Sequence, residues 1–182
     1  MKATGIVRRI DDLGRIVIPK EIRRTMRIRE GDPMEIFTSR EGEILLKKYS
    51  PVGELGEFAV TLAESMAQAL GELVCVTDRD YVIAAAGAGK KELEGKLLDI
   101  QLQEAIDQRV YRVCKNDQKE FLKILQEEGK EFRKQVVATI LSHGDSIGAV
   151  VILCKEEGTN TDEALLQVAK TAAGFLGKHM EQ

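Results

Sequence analysis

The sequence predicts two α+β units of unequal size, and three observations carry that reading. The stretch "KKYSPVGELG", residues 47–56, ends a strand-like run and brings Pro51, Gly53 and Gly56 close together, which marks a boundary between residues 1–50 and residues 51–182. Before it, short strand-like stretches surround one short helix. After it the order is helix, strands, helix, strands, helix, as in a sheet domain with its helices grouped on one side. Charge divides at the same place: residues 1–50 hold 12 Lys and Arg against 8 Asp and Glu, whereas residues 51–182 hold 15 against 22. The first unit is therefore the one suited to a polyanion.

Within the first unit, Gly5 to Ile10 and Arg15 to Ile18 read as strands joined by the loop Asp11 to Gly14. Pro19 opens a helix that reaches Met26; its fixed φ and missing N–H suit the first helical position. Two turns do not hold a helix by themselves, so Ile22 and Met26, four apart on one face, are expected to pack on the strands. Arg23, Arg24 and Arg27 then point elsewhere. Met34 to Thr38 and Glu43 to Lys48 form a hairpin turning at Gly42. A unit this short, with no disulfide or metal, buries too little apolar surface to be stable alone and is expected to pair with a second chain.

The second unit opens with "GELGEFAVTLAESMAQALGE", in which Leu55, Ala59, Leu62, Met66 and Ala69 follow a three-four spacing ended by Gly71. The strands "LVCVTD" and "YVIAAAG" flank a tight Asp78-Arg79-Asp80 turn, and helical material follows around Leu93 to Val110. "KQVVATILSHGDSIGAVVILCKE" reads as a hairpin with His143-Gly144-Asp145 at its turn. In the last segment, Asn160 and Glu163 suit a capping box, and Leu165, Ala169, Ala172 and Leu176 make an apolar stripe. Both helix stripes offer more apolar face than one small sheet needs, and their alanines permit close helix approach, which predicts a tetramer formed through the helices of this unit. Residues 118–134 are charged and helix-compatible and receive no assigned place.

Several function classes are excluded or weakened. The longest apolar run, Ile147 to Cys154 with one glycine, is well short of the roughly 20 residues of a membrane helix, and "MKATGIVRR" lacks the apolar core of a signal peptide. A cytoplasmic protein with no membrane partner is expected. Cys75, Cys114 and Cys154 form no C-x-x-C pair, and with only His143 and His179 there is no sequence-local zinc set, so buried reduced thiols and no bound metal are expected. "AAAGAGKKE" departs from a phosphate-binding loop, with Ala84 at the first glycine position and Lys91 at the hydroxyl position. Neither histidine lies in a nucleophile motif, and pairs such as Asp11-Asp12 or Glu156-Glu157 suit solvated loops. No catalytic residue and no cofactor are assigned; the chain is not expected to be an enzyme.

The basic constellation is the stronger signal. Arg8 and Arg9 lie on the first strand, Arg15 opens the second, and Arg23, Arg24, Arg27 and Arg29 lie in and after the helix. Charge of this density also suits a merely solvated face, but two copies in a symmetric dimer would double it and match the two-fold character of duplex DNA. The stretch "ATGIVRRIDDLGRIVIPKEIRRTMRIREGDPMEIF", with "GEILLKKY" after it, closely resembles the AbrB family of bacterial transition-state regulators. That resemblance implies a swapped-hairpin β-barrel formed by a dimer through residues 1–50, binding double-stranded DNA. The family's DNA-contacting arginine positions are occupied by Arg8, Arg15, Arg23 and Arg24, and Arg9 beside Arg8 joins the DNA-binding candidates.

The remainder, above all "GDSIGAVVI" and "AAGFLGKHMEQ", is similar to the stage V sporulation protein T family of spore-forming Firmicutes, whose C-terminal part is a GAF-like sensory domain. The resemblance implies a nucleoid-associated transcriptional regulator that activates some genes and represses others during sporulation. It also implies that residues 51–182 form a GAF-like α+β sheet domain for regulation by a small-molecule ligand or for oligomerisation. Two alternatives stay open: a swapped-hairpin antitoxin, and a ligand sensor not acting mainly through DNA. "KNDQKEF" does not reproduce the Asn-Lys-Phe-Asp-Glu motif of cyclic-nucleotide-binding GAF domains, so the residues name no ligand.

Overall fold

A computed structural model describes residues 5–126, 132–156 and 160–181. The chain divides into two compact units, Met1–Tyr49 and Ser50–Gln182.

In the first unit, helix α1 spans Lys20–Thr25, and strands β1 (Met34–Thr38) and β2 (Ile44–Lys48) form an antiparallel hairpin in which Met34 faces Lys48 and Thr38 faces Ile44. Gly42 takes φ 81° in the turn, where a side chain would be strained. Gly5 to Ile10 and Arg15 to Ile18 belong to no strand within the chain, which corrects the sequence expectation, and among the described residues this unit has no closed barrel. Pro19 is the residue that caps α1 rather than its first helical residue. Met26 is 61% exposed, because the strands on which it was expected to pack do not form within one chain. The hairpin carries Ile36, Ile44 and Leu46 on one face and Phe37 and Leu45 on the other, all of them exposed. Two strands alone cannot cover either face.

The second unit comprises α2 (Pro51–Glu54), α3 (Gly56–Leu70), β3 (Leu73–Thr77), β4 (Val82–Ala86), α4 (Ile100–Asp107), β5 (Tyr111–Lys115), β6 (Lys134–Ser142), β7 (Asp145–Cys154) and α5 (Asp162–His179). The strands form one antiparallel sheet in the order β4-β3-β7-β6-β5. The long hairpin β6–β7 supplies its centre. Its turn puts His143 at φ 49° and Gly144 at φ 86°, the two left-handed residues of a tight hairpin whose twist suits the strands. Alternation then divides the core. Val74, Val76, Val136, Ala138, Ile140, Val150, Ile152 and Cys154 face α3 and α5, while Leu73, Cys75, Val137, Ala149, Val151 and Leu153 face Leu102 and Ile106 of α4. Helices thus cover both faces, and the expected grouping on one side is wrong: α4 lies opposite the other two.

Several local expectations change for identifiable reasons. Helix α4 starts only at Ile100, where the Asp99 carboxylate accepts the Gln101 N–H at 3.1 Å, so most of Leu93 to Val110 is not helical. Thr161, one residue beyond Asn160, caps α5 by accepting the Ala164 N–H at 3.2 Å; the Asn160 amide instead donates to the Leu70 carbonyl at 2.9 Å. The stripes Leu55, Ala59, Met66 and Leu165, Ala169, Ala172, Leu176 are buried on their own sheet. Strand β5 was not anticipated, and residues 118–126 are not helical; the rest of the unassigned 118–134 stretch falls in part outside the described residues.

Candidate nucleic-acid interface

The interface is built around one carboxylate and one short helix. Asp11 Oδ1 accepts the Leu13 N–H at 3.0 Å and the Arg15 N–H at 2.8 Å, and Asp11 Oδ2 accepts Arg15 Nε at 2.7 Å. The Asp11 N–H in turn donates to the Arg15 carbonyl at 3.1 Å, so the loop closes on itself. These bonds, first that from the Arg15 backbone and then that from its guanidinium, hold the Asp11 carboxyl below its ordinary value of 3.8. The Arg15 side chain remains 69% exposed while its Nε is fixed. Asp11 is thus a positioning residue for Arg15 and more than the solvated loop charge the sequence suggested.

Helix α1 presents the second set. Arg23 and Arg24 are exposed in its last turn, where cations also complement the helix dipole, and Lys20 lies three and four residues before them on the same side. Lys20 was missed, although its spacing from Arg23 and Arg24 was legible. The helix ends with Arg27 at φ 53°: the Ile28 N–H reaches back to the Arg23 carbonyl at 2.8 Å and the Arg27 N–H to the Arg24 carbonyl at 3.3 Å, a termination that glycine usually provides. Lys48 Nζ secures it, donating to the Arg27 carbonyl at 3.1 Å and pairing with Asp32 at 3.0 Å. The Asp32 side chain is only 1% exposed and also accepts the Arg29 N–H at 2.8 Å. One buried carboxylate therefore fixes the end of α1 against β2. Arg8 and Arg9 are exposed just before the Asp11 loop. The five sequence candidates thus fall into two exposed sets: Arg8, Arg9 and Arg15 around the loop, and Arg23 and Arg24 on α1.

Among the described residues, no group of three His, Cys, Asp or Glu could hold a metal ion, and no helix is long and apolar enough to cross a membrane. All three cysteines are buried and free, and burial pushes the thiols of Cys75 and Cys154 up to about 12, with Glu72 adding to the effect at Cys154. The sheet face under α4 is filled by Leu93, Leu98, Leu102, Ile106, Ile124 and Leu125.

Comparison with known proteins places these units. The family model described as "Stage V sporulation protein T C-terminal, transcription factor" matches residues 54–181, and stage V sporulation protein T of Bacillus subtilis (strain 168) is 49% identical over 182 residues, 100% of both chains. The chain belongs to the stage V sporulation protein T family. Residues 7–54 match the model described as "Antidote-toxin recognition MazE, bacterial antitoxin". The transition state regulatory protein AbrB of the same Bacillus strain is 59% identical over 51 residues, 28% of this chain and 52% of that protein, so the N-terminal unit of this family member is AbrB-like. The GAF domain of PixJ from Thermosynechococcus elongatus, in its blue-light absorbing form, superposes with a TM-score of 0.53 at 15% identity, covering 74% of this chain and 89% of that one. That likeness identifies the fold of the second unit as GAF-like.

Proposed function

We propose that the chain is a sequence-selective DNA-binding transcriptional regulator of sporulation-stage genes, activating some and repressing others, and that it acts by binding rather than catalysis. The observation that carries this reading is the first unit itself: two sets of exposed arginines together with a hairpin whose apolar residues are left uncovered. A second copy covers the hairpin, and the dimer doubles the positive surface. The transcription-factor description of the matched family supports the same conclusion. Arg8, Arg9, Arg15, Arg23 and Arg24 bind DNA, Lys20 assists them, and the protein resides in the cytoplasm on the nucleoid.

The tetramer is formed by a different face from the stripes that the sequence suggested. Phe58 on α3 and Phe175 on α5 are each about half exposed and flank His179, with ring centroids 4.6 and 5.9 Å from it. This aromatic patch is the surface that pairs two GAF-like units. With the opposite sheet face filled, oligomerisation is the principal role of the second unit, and a ligand would have to displace the leucines under α4.

Titration of duplex DNA tests the reading. Each phosphate contact contributes a slope of about 0.9 in log affinity against log salt, so Arg15→Ala or Arg24→Ala should weaken binding and flatten that slope. Unchanged titrations for both variants would remove the assignment. The antitoxin reading, which the match over residues 7–54 favours, would instead be supported by a tight protein partner recovered with the purified chain in place of DNA.

A further inference from the structure

We propose that the Ser50 hydroxyl and the Asp78 carboxylate form a clamp that ties the chain's entry into the GAF-like unit to helix α4, so that a change at α4 is felt at the connector following the arginine-bearing unit. This rests on the reading of that first unit as the DNA binder. Ser50 Oγ donates to Asp78 Oδ2 at 2.7 Å while accepting the Gly53 N–H at 3.1 Å, so one hydroxyl both caps α2 and holds the β3–β4 turn. Asp78 Oδ1 accepts the N–H groups of Asp80 and Tyr81, each at 2.7 Å, and the Asp78 N–H donates to the Tyr81 carbonyl at 3.0 Å. Such a turn moves as one piece.

The turn is joined to α4 at both ends. Two residues before the helix, the Leu98 N–H donates to the Asp80 carbonyl at 2.8 Å; at its last residue, Asp107 pairs with Arg79 at 2.5 Å. Between them, the Gln103 amide lies 3.4 Å from Asp80 Oδ1. Helix α4 rests Leu102 and Ile106 on the sheet core, so a shift of α4 must repack that core or pull on the turn. Little chain separates the bonded residues on either side. The Tyr49 N–H donates to the Pro33 carbonyl at 3.0 Å inside the first unit, one peptide bond before Ser50 is bonded inside the second. A connector of this kind transmits displacement, whereas a flexible one of several residues would not.

The test uses the full chain and separates the clamp from the cap. Ser50→Asn keeps a capping oxygen for Gly53 and an N–H donor for Asp78; Ser50→Asp keeps the cap and sets two carboxylates against each other. Amide exchange of a peptide covering residues 50–55 should be near wild type in Ser50→Asn and about tenfold faster in Ser50→Asp. Adding Asp78→Asn to Ser50→Asp should restore it, since the amide can donate to the new carboxylate. Asp107→Asn, remote in sequence, should also speed exchange at 50–55, but not further in a Ser50→Asp background. Affinity for the duplex that the wild-type chain selects from a random-sequence pool should change several-fold in Ser50→Asp and in Asp107→Asn, and no more in the double variant. Additive exchange effects, or equal behaviour of Ser50→Asn and Ser50→Asp, would overturn the clamp. Recovery of no duplex from the pool would overturn the DNA reading alone, because the exchange cycle decides the clamp without DNA.

Discussion

Ile16-Val17-Ile18 and Val150-Val151-Ile152 are chemically the same run of branched aliphatic residues, yet Val17 is 72% exposed and Val151 is fully buried. The second run lies in β7, between β3 and β6, with α3 and α5 over one face and α4 over the other. The first run has none of these within its own chain. Among residues 5–49 no Val, Ile, Leu, Met, Phe or Tyr is buried, whereas the GAF-like unit encloses Ile140, Ile152, Leu102 and Leu176 completely. Composition therefore does not decide burial; what decides it is whether the same chain supplies the covering layer. On the proposed dimer, the core of the N-terminal unit belongs to the pair of chains, whereas that of the GAF-like unit is complete within one.

This difference should be visible as two unfolding transitions of the full chain, the first dependent on protein concentration and the second much less so. The largest effect is expected from Leu46→Glu, which places a charge in each copy of the uncovered hairpin face. It should destabilise the first transition by at least about 4 kcal/mol in calorimetry and leave the second in place. A first transition that survives unchanged would show that the hairpin face is not an interface.

Asp32→Ala should lower the first transition by about 3 kcal/mol, because Lys48 then keeps its charge beside the vacated site while the Arg29 N–H loses its acceptor. Gly177→Ala sharpens the contrast from the other side. A Cβ there would meet the Leu141 carbonyl oxygen at 2.0 Å, so α5 must move off β6. Only the second transition should fall, by about 2 kcal/mol in denaturant titration.

The smallest effect is set by pH. The thiols of Cys75 and Cys154, pushed up to about 12 from 9.0, keep their protons in the folded GAF-like unit when the unfolded chain would release them. Their contribution is fully present at pH 7 and falls by less than about 0.5 kcal/mol for each thiol up to pH 9, being lost progressively only above that pH. The first unit contains no cysteine, so only the second transition should drift in alkali, and neither thiol should react with a thiol reagent at pH 8. At the acid end the sign reverses. The depressed Asp11 carboxyl supports its loop above pH 3.8 and releases it as pH falls through the lowered value, which exchange at Leu13 and Arg15 would report.

Much of the architecture was legible in the residues. The three-four spacing in α3 and α5, the short apolar runs of β3, β6 and β7, and the left-handed positions at Gly42, Gly71 and Gly144 are local consequences of side-chain pattern and of a missing Cβ. The clustering of Arg8, Arg9, Arg15, Arg23 and Arg24 was legible for the same reason, since charge is carried by residue type. Strand β5 was not, because "YRVCK" is half polar and becomes a strand only by pairing with β6. The role of Asp11 was also hidden: an acidic residue in a loop reads as solvated until the chain brings Arg15 back to it at 2.7 Å.

The sequence by itself determined which segments have a helical or strand period, where charge accumulates, and that the first fifty residues are too short to bury a core. Only the tertiary structure decided which face each period serves. The stripe Leu165, Ala169, Ala172, Leu176 reads equally well as a helix interface or as a lid on its own sheet, because periodicity fixes the direction in which side chains point and not what lies there. The same limit applies to Ser50, whose hydroxyl looks like any cap until the fold carries Asp78, distant in sequence, to within 2.7 Å of it. Contacts of that kind arise from packing among distant segments, and no local pattern encodes them.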